Sequence, residues 1–82
     1  MQDFIHKDDN VAVALKPIDK NTTLDVNGIS VTTVEDIPQG HKFALRDIKE
    51  GEEIIKYGFR IGYAKESIGK GAWVHVHNVK TA

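Results

Sequence analysis

Residues 37–78 read IPQGHKFALRDIKEGEEIIKYGFRIGYAKESIGKGAWVHVHN, and one device recurs in them. Ile37-Pro38-Gln39-Gly40, Ile48-Lys49-Glu50-Gly51 and Ile68-Gly69-Lys70-Gly71 each set an apolar anchor three residues before a glycine. A strand-like run follows each glycine at once: HKFALR, EEIIKY and AWVHVHNV. Without a Cβ, a glycine takes positive φ at little cost and turns the chain, while the isoleucine before it pins the turn to the core. The unequal spacing of the units excludes a solenoid, which needs a fixed period. Short strands separated by sharp glycine turns point instead to a small all-β fold.

The remainder of the chain agrees. Apolar residues nowhere keep the i, i+3, i+4, i+7 spacing of a long amphipathic helix. Val11-Ala12-Val13-Ala14-Leu15, ended by Pro17, reads as a buried strand. Leu24-Asp25-Val26 and Ile29-Ser30-Val31 flank Asn27-Gly28, the favoured pair for a two-residue type I′ hairpin. Leu24, Val26, Ile29 and Val31 then share one face. Residues 54–63 read as two strands kinked at Gly58, and 47–53 and 65–70 have room for a helical turn at most. The turn positions are thus Gly28, Gly40, Gly51, Gly58 and Gly71, within a single domain spanning residues 1–82.

Composition mostly excludes. Eleven basic residues against twelve acidic ones create no field to gather nucleic acid or an anionic membrane surface. No apolar run is long enough to span a bilayer, and MQDFIHKDDN has neither the basic nor the apolar part of a secretory signal. Cytoplasm is the default location. With no cysteine and four scattered histidines, neither a disulfide nor a zinc-finger spacing staples the core. So small a core favours assembly with a partner chain, in a homo-oligomer or a larger complex.

The pointed chemistry lies near the end. On a continuous strand from Trp73 to Val79, alternation would place Trp73, His75, His77 and Val79 on one face, where His75 and His77 could hold a metal or grip an anionic ligand. The plainer reading is a solvated strand face. His41-Lys42 follows the Gly40 turn and Lys56-Tyr57 precedes Gly58, and turn-flanking polar groups are common binding elements. Solvated strand-end charges are the ordinary alternative for Lys42 and Lys56. His6, Asp9 and Asn10 form a polar cluster before the first strand, with a capped turn as the simpler account. No nucleophile–base arrangement or phosphate loop is legible, and Trp73 is most simply a packing aromatic.

Together, DNVAVAL (Asp9 to Leu15), IPQGHKFALRDIKEGEEIIKYGFRIGYA (Ile37 to Ala64) and GAWVHVHNV (Gly71 to Val79) resemble the N-terminal domain of the altronate dehydratase family. That family includes galactarate dehydratase and the two-subunit sulfolactate sulfo-lyase. The resemblance implies a SAF-type domain of β-clip topology. It further implies a small subunit or N-terminal domain of a hydro-lyase that converts sugar acids to 2-keto-3-deoxy acids, inactive as an isolated chain. A large catalytic subunit or C-terminal catalytic region is the implied partner, a sugar acid the ligand, and iron or manganese a metal of the full enzyme. Carried across by position, the family's pattern falls on His6, Asp9, Asn10, His41, Lys42, Lys56, Tyr57, His75, His77 and Asn78 as substrate-binding residues. It departs at Lys7, where proline is usual. A stand-alone SAF-type binding or adaptor module is the alternative, since a fold hosts many functions.

Overall fold

Ile18, Ile37, Ile48 and Ile68 mark the corners of the molecule. In the computed structural model, which describes residues 8–81, they meet in pairs. Ile18 and Ile37 form one isolated antiparallel bridge, and Ile48 and Ile68 form the other. Each pair exchanges both backbone hydrogen bonds at 2.8–2.9 Å. Ile37, Ile48 and Ile68 are buried, so the anchors point inward as expected. Gly40, Gly51 and Gly71 have φ of 81°, 84° and 86°, which confirms the three expected turns. A fourth turn follows Ile18, where Asn21 takes the glycine's place at φ 68°. Asparagine is among the few non-glycine residues that visit this region readily, so the motif survives without its signature residue.

The described residues form eight short strands: β1 (Val11–Val13), β2 (Thr23–Val26), β3 (Ile29–Thr32), β4 (Lys42–Ala44), β5 (Glu53–Lys56), β6 (Phe59–Ala64), β7 (Trp73–Val74) and β8 (Val79–Thr81). All pairings are antiparallel, in sheets ordered β1-β4-β7, β2-β3 and β5-β6-β8. No helix occurs among the described residues, hence none long and apolar enough to cross a membrane. The helical turns allowed for at 47–53 and 65–70 are the Ile48 and Ile68 corners, where the two isoleucines pair across the bridge and Glu52 closes a single tight turn by donating to the Lys49 carbonyl.

β2 and β3 form the expected hairpin, with Asn27 and Gly28 at φ 52° and 88°. Val26 and Val31 are buried beneath it, whereas Ile29 is 38% exposed at its tip. β5 and β6, the two strands expected on either side of Gly58, pair as a second hairpin, with Tyr57 and Gly58 at φ 53° and 77°. Tyrosine is a costly choice for a left-handed position. The Asp9 carboxylate steadies the turn by accepting from the Gly58 amide at 2.8 Å.

The two hairpins are copies. Ala14, Ile18, Asn21 and the Asn27-Gly28 turn recur thirty residues later as Ala44, Ile48, Gly51 and Tyr57-Gly58. A bulge between Ile54 and Ile55 leaves Ile61 as an extra residue, after which Ile37 and Gly40 recur thirty-one later as Ile68 and Gly71. The hydrogen bonds follow suit. Gly40 donates to the Ala14 carbonyl and Gly71 to that of Ala44, while Asn21 donates to Thr33 and Gly51 to Ala64, all at 2.8 Å. The spacing that excluded a solenoid therefore conceals a twofold internal repeat.

β4 lies between the copies, and its alternating side chains divide the interior. Phe43 joins Ala12, Ala14, Val26, Val31, Ile37 and Leu45 under the first hairpin. Ala44 joins Val11, Ile48, Ile54, Ala64, Ile68 and Val74 under the second.

Candidate functional site

Lys42 and Val74 are cross-strand partners, so their side chains leave the central sheet on the same face. That face looks toward the second hairpin, which presents Lys56. Between them lies a cleft of about 320 Å³ lined by Lys42, Lys56, His75 and Thr81 and by the apolar Ile61, Val74, Val76 and Val79. Such a volume is at the lower end for small-molecule sites. Lys56 is only 6% exposed, and its Nζ has no hydrogen-bond partner among the described residues. The ammonium sits instead over the Tyr57 ring, 3.1 Å from its centroid. Lys56 is therefore no solvated strand end.

On the other side of β7, Trp73 gathers three imidazoles. Its ring stacks on His75 at 5.7 Å and meets His77 at 4.8 Å and His41 at 5.6 Å. His41 and His75 are themselves 4.3 Å apart between centroids. The indole Nε1 donates to Nδ1 of His41 at 3.0 Å, so that nitrogen carries no proton. His75 belongs to both groups, touching the rings on one side and lining the cleft on the other. Burial first, then the neighbouring His41, Lys42 and His77, hold the His75 imidazole below its ordinary 6.5.

The continuous strand expected from Trp73 to Val79 does not form. β7 stops at Val74, and residues 75–78 make a turn before β8. Asn78 is the cause: its Oδ1 accepts from the His75 amide at 2.9 Å and its Nδ2 donates to the Trp73 carbonyl at 2.8 Å. A short amide side chain that replaces ladder bonds in this way favours a turn over a strand. His75 and His77 thus reach Trp73 by way of the turn, not by alternation along one strand face.

Asn10 plays a comparable part on β5. Fully buried, it accepts from the Ile55 amide and donates to the Glu53 carbonyl, both at 2.7 Å. Asp9, also buried, holds the Gly58 turn. Asp9, Asn10 and Asn78 thus use side-chain atoms to shape the backbone around the cleft, while Lys42, Lys56 and His75 line it and Tyr57 faces the Lys56 ammonium. His6 lies outside the described residues. Sequence reasoning missed the apolar walls and Thr81, which no local motif marks.

The metal implied by the resemblance finds no ready site in these residues. Among the described residues no three His, Cys, Asp or Glu side chains are arranged to hold a metal ion, and Nδ1 of His41 is already engaged. A pair of imidazoles falls short of the donor sets that hold iron or manganese.

Comparison with known proteins fits this geometry. The family model of the altronate/galactarate dehydratase SAF domain matches residues 4–82. The chain is 51% identical over 77 residues to the altronate dehydratase of Bacillus subtilis (strain 168), covering 94% of this chain but 16% of that protein. It is 44% identical over 71 residues to the galactarate dehydratase (L-threo-forming) of Escherichia coli (strain K12), covering 85% of this chain and 13% of that enzyme. With the (2R)-sulfolactate sulfo-lyase subunit alpha of Paracoccus pantotrophus it shares 42% over 59 residues, which is 72% of this chain and 88% of that subunit. The chain thus spans a small fraction of the dehydratases and most of the sulfo-lyase subunit. Its eight short strands in small bent antiparallel sheets are a SAF-type β-clip, as the resemblance implied. The chain belongs to the family of altronate/galactarate dehydratase SAF domains.

Proposed function

We propose that this domain is the substrate-gripping part of a hydro-lyase that dehydrates a sugar acid to a 2-keto-3-deoxy acid, with the catalytic region supplied by a further part of the enzyme or by a second chain. The observation that carries this reading is the convergence of Lys42, Lys56 and His75 on one apolar-walled cleft. Dehydration of a hydroxy acid begins with removal of the proton next to the carboxylate, which loads negative charge onto the carboxylate oxygens. Cations fixed in a cleft poor in water stabilise that charge more than water does, and they need no reorganisation as it develops. His75, which touches the Trp73 ring on one side and lines the cleft on the other, offers an N–H donor to substrate hydroxyls, while His41 and His77 pack in the ring cluster beside it. Nothing in the set is placed as a nucleophile with its base, so the domain binds and orients while the catalytic region abstracts the proton.

Reconstitution tests this. The isolated chain is expected to show no turnover on altronate or galactarate, and supplying the enzyme's catalytic region, in cis or as a separate chain, restores it. His75→Ala together with His77→Ala then lowers kcat/KM by roughly tenfold or more. Full activity in the double variant would remove the histidines from the site. Turnover by the isolated chain would overturn the division of labour.

A further inference from the structure

We propose that Lys56 is the principal cation of a carboxylate subsite complete within this chain, which takes the acid end of its ligand and leaves the hydroxylated tail at the mouth. The choice of a hydroxy acid rests on the lyase reading above; the anion site itself does not.

Among the described residues, the packing around Lys56 gives little reason for a cation at that position. A buried ammonium with no hydrogen-bond partner among the described residues is costly, and the Tyr57 ring returns only part of that cost. The internal repeat supplies an independent comparison. Thirty residues before Lys56, at the same position of the first hairpin, stands Val26, 3% exposed in the core. Lys42 likewise stands thirty residues after Ala12, which is fully buried. Both lysines of the cleft therefore occupy positions that the first copy fills with apolar core residues. The scaffold folds well with an apolar side chain there, so what the second copy gains is an aimed set of donors.

The walls select among ligands. Ile61, Val74, Val76 and Val79 offer nothing to hydroxyl groups, and Thr81 is the one hydroxyl among the lining residues. A polyol tail would lose its hydrogen bonds inside, whereas a carboxylate and its neighbouring carbon match two ammonium groups set among methyl groups.

Glycerate, titrated into the full 82-residue chain and followed by amide NMR shifts, tests the subsite, with glycerol as the neutral control and inorganic phosphate as competitor. Glycerate is expected to give saturable shifts centred on Lys56, Val74 and His75, glycerol none, and phosphate weaker binding. Lys56→Met is expected to weaken glycerate binding by roughly tenfold or more and, unlike most core substitutions, to raise the thermal midpoint. Lys42→Met weakens binding with the midpoint little changed. Several results would each overturn the proposal: no glycerate binding by the parent chain, unchanged binding in Lys56→Met, or a lowered midpoint or unfolding in that variant, which would mark Lys56 as a structural cation. Phosphate binding equal to or tighter than glycerate would overturn the carboxylate assignment. An enzyme that turned over sugar acid undiminished with Lys56→Met would refute the subsite and leave the lyase reading standing. Glycerate binding without any lyase activity would do the reverse.

Discussion

His75 lies where the Trp73 ring shields it from water and where His41, Lys42 and His77 oppose further positive charge. Its folded imidazole therefore holds a proton less readily than in the unfolded chain. As pH falls through 6.5, the unfolded chain takes up that proton first, so the stability that His75 contributes is present above 6.5 and is lost as pH drops toward its lower folded value. Urea midpoints are expected to be level above about pH 7.5 and to decline toward about pH 5, and His75→Gln removes part of the decline. An identical decline in that variant would assign the effect to other groups. At this scale the sequence was legible where side-chain chemistry is local. Asn27-Gly28 announced its turn because both residues tolerate positive φ. Gly58 announced its turn as well, but the positive φ of Tyr57 stayed hidden, because that turn is held by Asp9, 49 positions before Gly58. The burial of Lys56 was hidden for the same reason, since it depends on what β4, β7 and β8 lay across the hairpin.

The corner is the recurring element, and its glycines are not equivalent. Gly28 and Gly71 have nearly the same φ, 88° and 86°. Around Gly28 nothing approaches the space a Cβ would fill, whereas at Gly71 a Cβ would overlap the backbone carbonyl of Thr32. Gly28→Ala is therefore expected to cost about 1 kcal/mol, the price of the left-handed conformation alone. Gly71→Ala adds a clash that only movement of β3 or β7 can relieve, and should cost about 3 kcal/mol or more in urea denaturation. Equal losses would mean that the close approach of Gly71 to Thr32 is not a constraint. Three of the four corners were legible because the Ile-x-x-Gly spacing carries the turn in local code. The fourth was not, because Asn21 replaces the glycine. The continuous strand over 73–79 failed where the side chain of Asn78 competed with ladder pairing.

In the whole molecule, both cores meet at β4, with Phe43 in one and Ala44 in the other. Neither half can lose its packing without disturbing that strand, so the described fold should unfold as a single unit. Trp73 fluorescence and far-ultraviolet circular dichroism are expected to give coincident urea transitions, and two separated transitions would show independent halves. The all-β class was legible from alternation and glycine turns, while the family came from ordered phrases that no periodicity contains. The twofold repeat stayed hidden because a one-residue bulge shifts its period and few identities survive between the copies. That repeat divides the labour. Each copy closes its own corner, Ile18 on Ile37 and Ile48 on Ile68, and folds its own hairpin, while the two lysines of the cleft, Lys42 and Lys56, stand where the first copy keeps buried Ala12 and Val26.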